Sequence, residues 1–302
     1  MDAPPAPLRM AVIGTGHLGR HHARNLAALS GVELVAVCDP SEERGRAAAE
    51  LAGTDWVKCP DELPGDLDAV SIAAPTPLHF ELASRYLRNG VHCLVEKPMT
   101  ATSAEARRLC GIAAESGALL QVGHIERFNP VLDELDPAAV SPRLIEAWRL
   151  APYSGRSIDT SVVFDLMIHD LDLALWFAGS EVSSVEARGG VLIGPLPDWA
   201  GCTLRFASGA VAHLTASRVA PSPERRMIVH HPGGTVDLDF GRRRRCLFDE
   251  DGVREHQGGD DEPLRRELAH FVDRIRSGEP VLVSEREGLQ AVELAEEVLS
   301  QI

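Results

Sequence analysis

The chain reads as an α/β protein of two domains. An N-terminal doubly wound parallel sheet is expected over residues 8–123, and a C-terminal α+β domain on a mostly antiparallel open sheet over 124–302. Three observations predict this. The first 120 or so residues alternate short apolar runs with helical patterns, the signature of βαβ units. The first apolar run flows into the glycine-rich turn GTGHLG. Beyond residue 125 the alternation gives way to strand pairs joined by short glycine turns.

Taken in order, RMAVIG is a strand ending in glycine, followed by a helix over roughly 17–29. VELVAVCD is the second strand, and SEERGRAAAEL the second helix with Ser41 as its N-cap. DAVSIAAP is the third strand, and PLHFELASRYLRNG a helix closed by Gly90. VHCLVEKP, SAEARRLCGIAAESG and ALLQVGH supply a fourth strand, a helix and a fifth strand. In the second half RLIEAWRLAP is a strand, and FDLMIHDLDLALWF (164–177) an apolar helix. Hairpins then turn at Ser208-Gly209 and Gly233-Gly234, and helices over 263–277 and 286–301 close the chain.

Composition excludes several classes. With 44% hydrophobic and 25% charged residues in 302, this is an ordinary globular composition. A formal net charge of -15 argues against a nucleic-acid or anionic-membrane partner. No apolar run approaches the roughly 18 residues that span a bilayer. MDAPPAPLR lacks the basic start and apolar run of a signal peptide, and its prolines predict a short disordered lead-in. Six cysteines (38, 59, 93, 110, 202 and 246) form no CxxC pair, which fits free thiols in a reducing cytoplasm. The RRRR run at 242–245 has two readings, a solvated hairpin and an anion site.

The chemistry collects at three places. GTGHLG follows a strand and opens a helix, and Asp39 ends the second strand 20 residues after Gly19. In that context the glycines form a dinucleotide fingerprint. Gly14 permits the tight turn, Gly16 lets the backbone approach a pyrophosphate, and the helix N-terminus faces the phosphate. Asp39 suits the hydroxyls of an adenosine ribose and repels a 2′-phosphate, so NAD is favoured over NADP; Arg44 and Arg46 nearby are the counter-signal. In such sheets the ligand lies beyond the carboxyl ends of the strands. The third strand ends there in APTPLH (74–79) and the fourth in EKP (96–98). Lys97 is one of only two lysines, with Lys58, against 28 arginines. A lysine at such a strand end can hydrogen-bond a substrate hydroxyl and stabilise a developing alkoxide. The third place is the apolar helix. At 100° per residue Asp165, His169, Asp172 and Trp176 share one stripe, and Phe164, Ile168, Leu171 and Leu175 another. The first stripe faces either solvent or a substrate cleft. Its histidine has a pKa near neutrality, suited to proton transfer, and an acid four residues earlier orients it. The same residues could offer three metal ligands, but Lys97 already supplies a positive charge, so no metal is expected.

Together GTGHLGRHHARNLA, EKP, VGHIERFNP and DLMIHDLDL, in this order and spacing, resemble the Gfo/Idh/MocA oxidoreductases, from Leu8 to the last helix. The resemblance implies a Rossmann domain and a second domain whose open sheet often mediates homodimers or homotetramers. It implies hydride transfer between a nicotinamide and a sugar, cyclitol or related carbon. It also implies catalytic roles for the EKP lysine and a DxxxH pair, here Lys97, Asp165 and His169. Asp172 matches a further acid often found in that helix. TSVVF before Asp165 departs from the glycines that many members carry, so the local backbone is expected to differ.

The expected cofactor-binding residues are Gly14, Thr15, Gly16, His17, Leu18, Asp39, Ala74, Pro75, Thr76, His79, Glu96 and Lys97. Arg127, Asn129, Asp165 and His169 are the expected substrate contacts. For Arg127 a second role stays open, pairing with an acid to pin the domain linker. VGHIERFNP and DLMIHDLDL are most similar to the branch of UDP-N-acetylglucosamine 3-dehydrogenases, which implies oxidation of a nucleotide-linked sugar at C3. A free cyclitol or aldose is the alternative substrate, and a nicotinamide-binding regulator without turnover the alternative function.

Overall fold

The computed structural model describes residues 6–155 and 159–302, with the side chain of residue 138 left out. The proline-rich start falls partly outside the described residues, so the disordered lead-in expected there is not addressed. The chain divides into two compact units, 1–125 with 262–289, and 126–261 with 290–302.

The first unit is built on six strands: β1 (Leu8–Ile13), β2 (Val32–Cys38), β3 (Asp55–Val57), β4 (Ala69–Ile72), β5 (His92–Glu96) and β6 (Leu120–Gly123). All pair in parallel, in the order β3-β2-β1-β4-β5-β6. The helices between them are α1 (Gly19–Ala27), α2 (Glu42–Ala52), α3 (His79–Leu87) and α4 (Ser103–Ser116). β4 is buried at every residue, as a strand covered on both faces must be. Ser41 caps α2 as expected, its Oγ accepting from Arg44 N at 3.4 Å, and Gly53 closes the same helix in the left-handed region. The strand order reverses direction between β1 and β4, so a crevice opens beyond their carboxyl ends, where doubly wound sheets bind ligands.

The second unit carries eight strands: β7 (Leu144–Leu150), β8 (Val182–Gly190), β9 (Trp199–Phe206), β10 (Val211–Ser217), β11 (Glu224–His231), β12 (Gly234–Asp239), β13 (Arg244–Asp249) and β14 (Gly252–Gln257). Their order is β14-β13-β12-β11-β7-β10-β9-β8, antiparallel except for β7 against β10. The hairpins turn at Gly209 and Gly234, both at positive φ, as the glycine turns predicted. Alternate residues of β7, β9 and β10 are buried, so one face packs on the core. That core receives Ile168, Leu171, Ala174 and Phe177 of α6 (Ile168–Ala178), together with Ala291, Leu294, Ala295 and Val298. Pro137–Val140 forms a short helix, α5.

Two expectations are corrected. A single domain over 124–302 does not hold, because 262–289 belongs to the first unit. Helix α7 (Pro263–Ser277) buries Leu264, Leu268 and Phe271 against Met10, Ala23, Leu26 and Leu94. The last helix, α8 (Glu285–Leu299), is divided, its start as far as Leu289 belonging to the first unit and the rest from Gln290 to the second. Apolar periodicity marks a helix that must be buried, but not the sheet that buries it. The second correction concerns Arg245 alone: the run turns the β12–β13 hairpin, as the solvated-hairpin reading has it, but its last arginine is not solvated. Arg242 is exposed and pairs with Asp239, Arg243 donates to Gly259 O, and Arg244 lies 3.6 Å from Glu255. Arg245 is buried and donates to Val131 O and Asp133 O. The groove of about 710 Å³ beside the run is lined by Arg225, Arg226, Arg242 and Arg244 but also by Glu224, Asp237 and Asp239, so its charge is mixed.

Candidate active site

In the first unit the GTGHLG turn has the shape that a pyrophosphate needs. Gly14 sits at φ +89°, and a Cβ there would stand 2.6 Å from Ala73 O and Ala74 N. A Cβ on Gly19 would collide with Gly14 O. At Gly16 a Cβ would meet nothing within 4 Å, so open space faces that backbone. Two glycines thus tighten the turn, while the third leaves it approachable at the start of α1. His17 and Leu18 are exposed on the same turn, and His17 stands edge-on to His21 at 5.7 Å. The contact at Gly14 also brings the Ala74, Pro75, Thr76 loop against the glycine turn. These residues fit the dinucleotide read from the sequence.

Asp39 is buried at the end of β2 and heavily engaged. Its Oδ2 accepts from Thr15 N at 2.8 Å and Thr15 Oγ1 at 2.9 Å, and its Oδ1 from Ser41 N at 2.8 Å and Arg44 Nη2 at 3.1 Å. Burial opposes its ionisation, but these donors hold the carboxyl below its ordinary range. Asp39 therefore clasps the glycine turn and draws Arg44 onto itself.

At the neighbouring strand ends His79 is buried between two carbonyls, Nδ1 at 2.9 Å from Pro98 O and Nε2 at 2.7 Å from Ala74 O. It ties the APTP loop to the EKP turn. Lys97 is half-buried there and Glu96 buried. Glu96 turns inward, its Oε1 2.9 Å from His22 Nε2 and its Oε2 accepting from Lys97 N at 3.2 Å.

In the second unit Val163–Met167 forms a π-turn that leads into α6. The 100° spacing used above therefore holds only from Ile168 onward. Such turns recur at functional sites. Asp165 and His169 are half-buried. Val162 N donates to Pro197 O at 2.9 Å and Asp165 N to Ser161 O, which anchors the start of the turn.

Beneath it lies a buried ionic network. Arg127 Nε and Nη2 donate to Asp172 Oδ2 and Oδ1 at 2.9 and 2.6 Å, and its guanidinium lies 4.9 Å over the Trp176 ring. Arg149 is shared between Asp170 and Glu126, at 2.8 and 2.7 Å. Burial alone would disfavour the Arg149 charge, but those two carboxylates hold it ionised. Asn129 donates to Glu126 Oε2 and Phe240 O. Of the expected substrate contacts, Arg127 and Asn129 are thus drawn into this network, and Asp172 leaves the His169 side for Arg127. Sequence reasoning missed Glu126, Arg149 and Asp170. The available signal was a charged residue amid the apolar alternation of β7 and three acids in an apolar helix.

Comparison with known proteins agrees with this geometry. Residues 8–124 match the model of the Gfo/Idh/MocA oxidoreductase family, NAD-binding Rossmann fold, and residues 140–237 that of the GFO/IDH/MocA C-terminal domain. The chain is 43% identical over 235 residues to UDP-N-acetylglucosamine 3-dehydrogenase of Acidithiobacillus ferrooxidans, covering 77% of this chain and 74% of that one. A solved structure of the enzyme of that name from that organism superposes with a TM-score of 0.94 at 35% identity, over 99% of this chain and 98% of the other. The scyllo-inositol 2-dehydrogenase (NAD(+)) of Bacillus subtilis is 29% identical over 310 residues, covering 92% of this chain and 89% of its own. The chain belongs to the Gfo/Idh/MocA family of NAD-binding oxidoreductases.

Proposed function

We propose that the protein oxidises a ring hydroxyl of a nucleotide-linked sugar, of the UDP-N-acetylglucosamine kind, at C3. The observation that carries this is the likeness to the 3-dehydrogenase, 43% identical in sequence and alike in fold over 99% of this chain. NAD supplies the hydride acceptor. Gly14, Thr15, Gly16, His17 and Leu18 would hold its pyrophosphate, Asp39 its adenosine ribose, and the strand-end residues Ala74, Pro75, Thr76 and His79 would frame the nicotinamide side. Lys97 donates a hydrogen bond to the reacting hydroxyl and stabilises charge developing on its oxygen. His169 takes the hydroxyl proton, and Asp165 sets the orientation and charge of that histidine. Arg127 and Asn129 act in this reading as positioning residues for α6.

The inositol dehydrogenase likeness supports a second reading, a free cyclitol or aldose as substrate. UDP-sugars, inositols and aldoses scored for NADH formation separate the two. Remote binding energy aligns the reacting carbon, so the UDP-sugar should exceed the bare N-acetyl sugar in kcat as well as KM. Equal rates with both would sink the nucleotide-sugar reading and promote the free polyol.

The working form we propose is a homodimer or homotetramer joined through the open face of the second sheet, where Glu146, Trp148, Arg226 and Ile228 are only half-buried. A reducing cytoplasm fits Cys38, Cys93, Cys202 and Cys246, which are buried free thiols. No helix among the described residues is long and apolar enough to cross a membrane.

A further inference from the structure

Behind the EKP turn the first unit encloses a group of polar side chains that the reaction above does not use. His22 of α1 is fully buried, with Nδ1 2.8 Å from Ser71 Oγ of β4 and Nε2 2.9 Å from Glu96 Oε1 of β5. Glu96 spends its other oxygen on the backbone N–H of Lys97. On the adjoining strand β6 a Cβ at Gly123 would stand 3.1 Å from Glu96 Oε2, so glycine leaves the carboxylate its room. Gln121 of β6 donates to the backbone carbonyl of Glu267 at 3.2 Å. Glu267 of α7 is itself fully buried, and neither of its carboxyl oxygens has a hydrogen-bond partner among the described residues.

We propose that Glu96 and Glu267 form a buried pair of carboxyl groups in opposite protonation states, with Glu267, which no donor reaches, the neutral member and Glu96 the anion that positions and charges Lys97. A carboxyl group in a dry interior ionises only where donors or opposite charges compensate it. The geometry decides which one does. Glu96 has His22, the Lys97 N–H and the Lys97 charge to stabilise an anion, whereas Glu267 has none of these. The electrostatics of the two sites agree. Burial opposes the Glu96 charge, yet His22 and Lys97 hold its carboxyl below the ordinary range, while burial and then the Glu96 charge push Glu267 well above it. Glu96 is thereby reassigned from direct cofactor contact to a positioning residue. The role in turnover rests on the reading of Lys97 given above; the opposite protonation states of the pair do not.

The test uses E267Q, E96Q and K97A in the full chain. A buried acid with a raised pKa binds more protons folded than unfolded, so it loses stability as pH climbs from about 4.3 towards its folded value. A neutral isostere abolishes that loss. The Tm advantage of E267Q over wild type, measured without cofactor, should therefore grow by about 2 °C per pH unit between pH 5 and 8. A difference independent of pH overturns the pair. E96Q should move the alkaline limb of the kcat/KM profile down by about one pH unit or more, since it removes the negative charge that accepts from the Lys97 N–H. An unmoved limb in an E96Q enzyme, where K97A abolishes turnover, overturns the positioning role. Full turnover by K97A would instead remove Lys97 from the reaction, and with it Glu96's role in turnover; the Tm comparison would still decide the pair.

Discussion

Arg127 grips Asp172 through two bonds, at 2.9 and 2.6 Å, while its guanidinium carbon lies over Trp176, 4.9 Å from the ring centroid. Both charged side chains are almost fully buried. The contact ties the segment that opens the second unit to the middle of α6, one turn beyond His169. The expectation that Arg127 pairs with an acid therefore describes this geometry, and Asp172 is that acid.

Asp172→Ala should leave the Arg127 charge buried without its partner and cost about 3–5 kcal/mol. Replacing the pair together, as R127M with D172L, should cost much less, because no charge remains to be desolvated. Thermal unfolding of the two variants checks this. Equal losses would mean that the ion pair contributes only through volume.

Cofactor choice turns on Asp39. A 2′-phosphate would meet a carboxylate kept ionised by four donors, so NAD should bind more tightly than NADP. Asp39→Ser should narrow the gap and should also loosen the glycine turn, since Thr15 loses its acceptor. Titration of both dinucleotides against both proteins measures it. Tighter binding of NADP by the wild type would show that Arg44 dominates this strand end.

The legible part of the molecule was whatever repeats or turns locally. Strand and helix periods, the Ser41 cap, the glycine hairpins and the glycine turn before α1 are set within a few residues, and each is present. Partners distant in sequence left no such trace. α7 sits 238 residues from Arg24, whose guanidinium reaches Glu262, and only the folded chain shows that they meet. Similarly, Arg149 and Asp170 each look anomalous in an apolar run, but the pairing that makes them tolerable is tertiary. The π-turn is hidden because the apolar pattern of 164–177 is equally consistent with an unbroken helix.

Asp198 organises the loop before β9. Its Oδ2 accepts from the backbone of Leu192, Ile193 and Gly194 at 2.7–2.9 Å, and its carbonyl takes Arg218 N. The same loop supplies Pro197 O to Val162, at the start of the π-turn. Asp198→Ala should cost about 1–3 kcal/mol by leaving these donors unmatched. Burial opposes the Asp198 charge, but the three N–H groups hold its carboxyl below the ordinary range. Its contribution is therefore present above about pH 3.9 and is lost as pH falls through the folded value. The stability gap between wild type and Asp198→Asn should close in acid, and a gap constant down to pH 3 would contradict this account.

His169 is the sharpest test of the proposed chemistry. It follows directly on the π-turn, with Asp165 one turn before it and the buried Arg127–Asp172 and Arg149–Asp170 pairs fixing the helix that carries it. Removing a general base typically lowers a rate by about 10²–10⁴-fold. His169→Ala should lose about that much in kcat while keeping its affinity for NAD, because the cofactor residues lie in the other unit. Asp165→Asn should lose less, since it weakens the orientation and charge of the base without deleting it. Lys97→Ala should lower kcat and weaken cofactor binding as well, since it follows the carboxyl end of β5, where the proposed reaction puts the nicotinamide. Single-turnover rates with the substrate found in the panel, alongside NAD titrations, separate these three patterns. A His169→Ala enzyme with undiminished single-turnover rate would assign the proton transfer to another group and leave His169 as a structural element of α6.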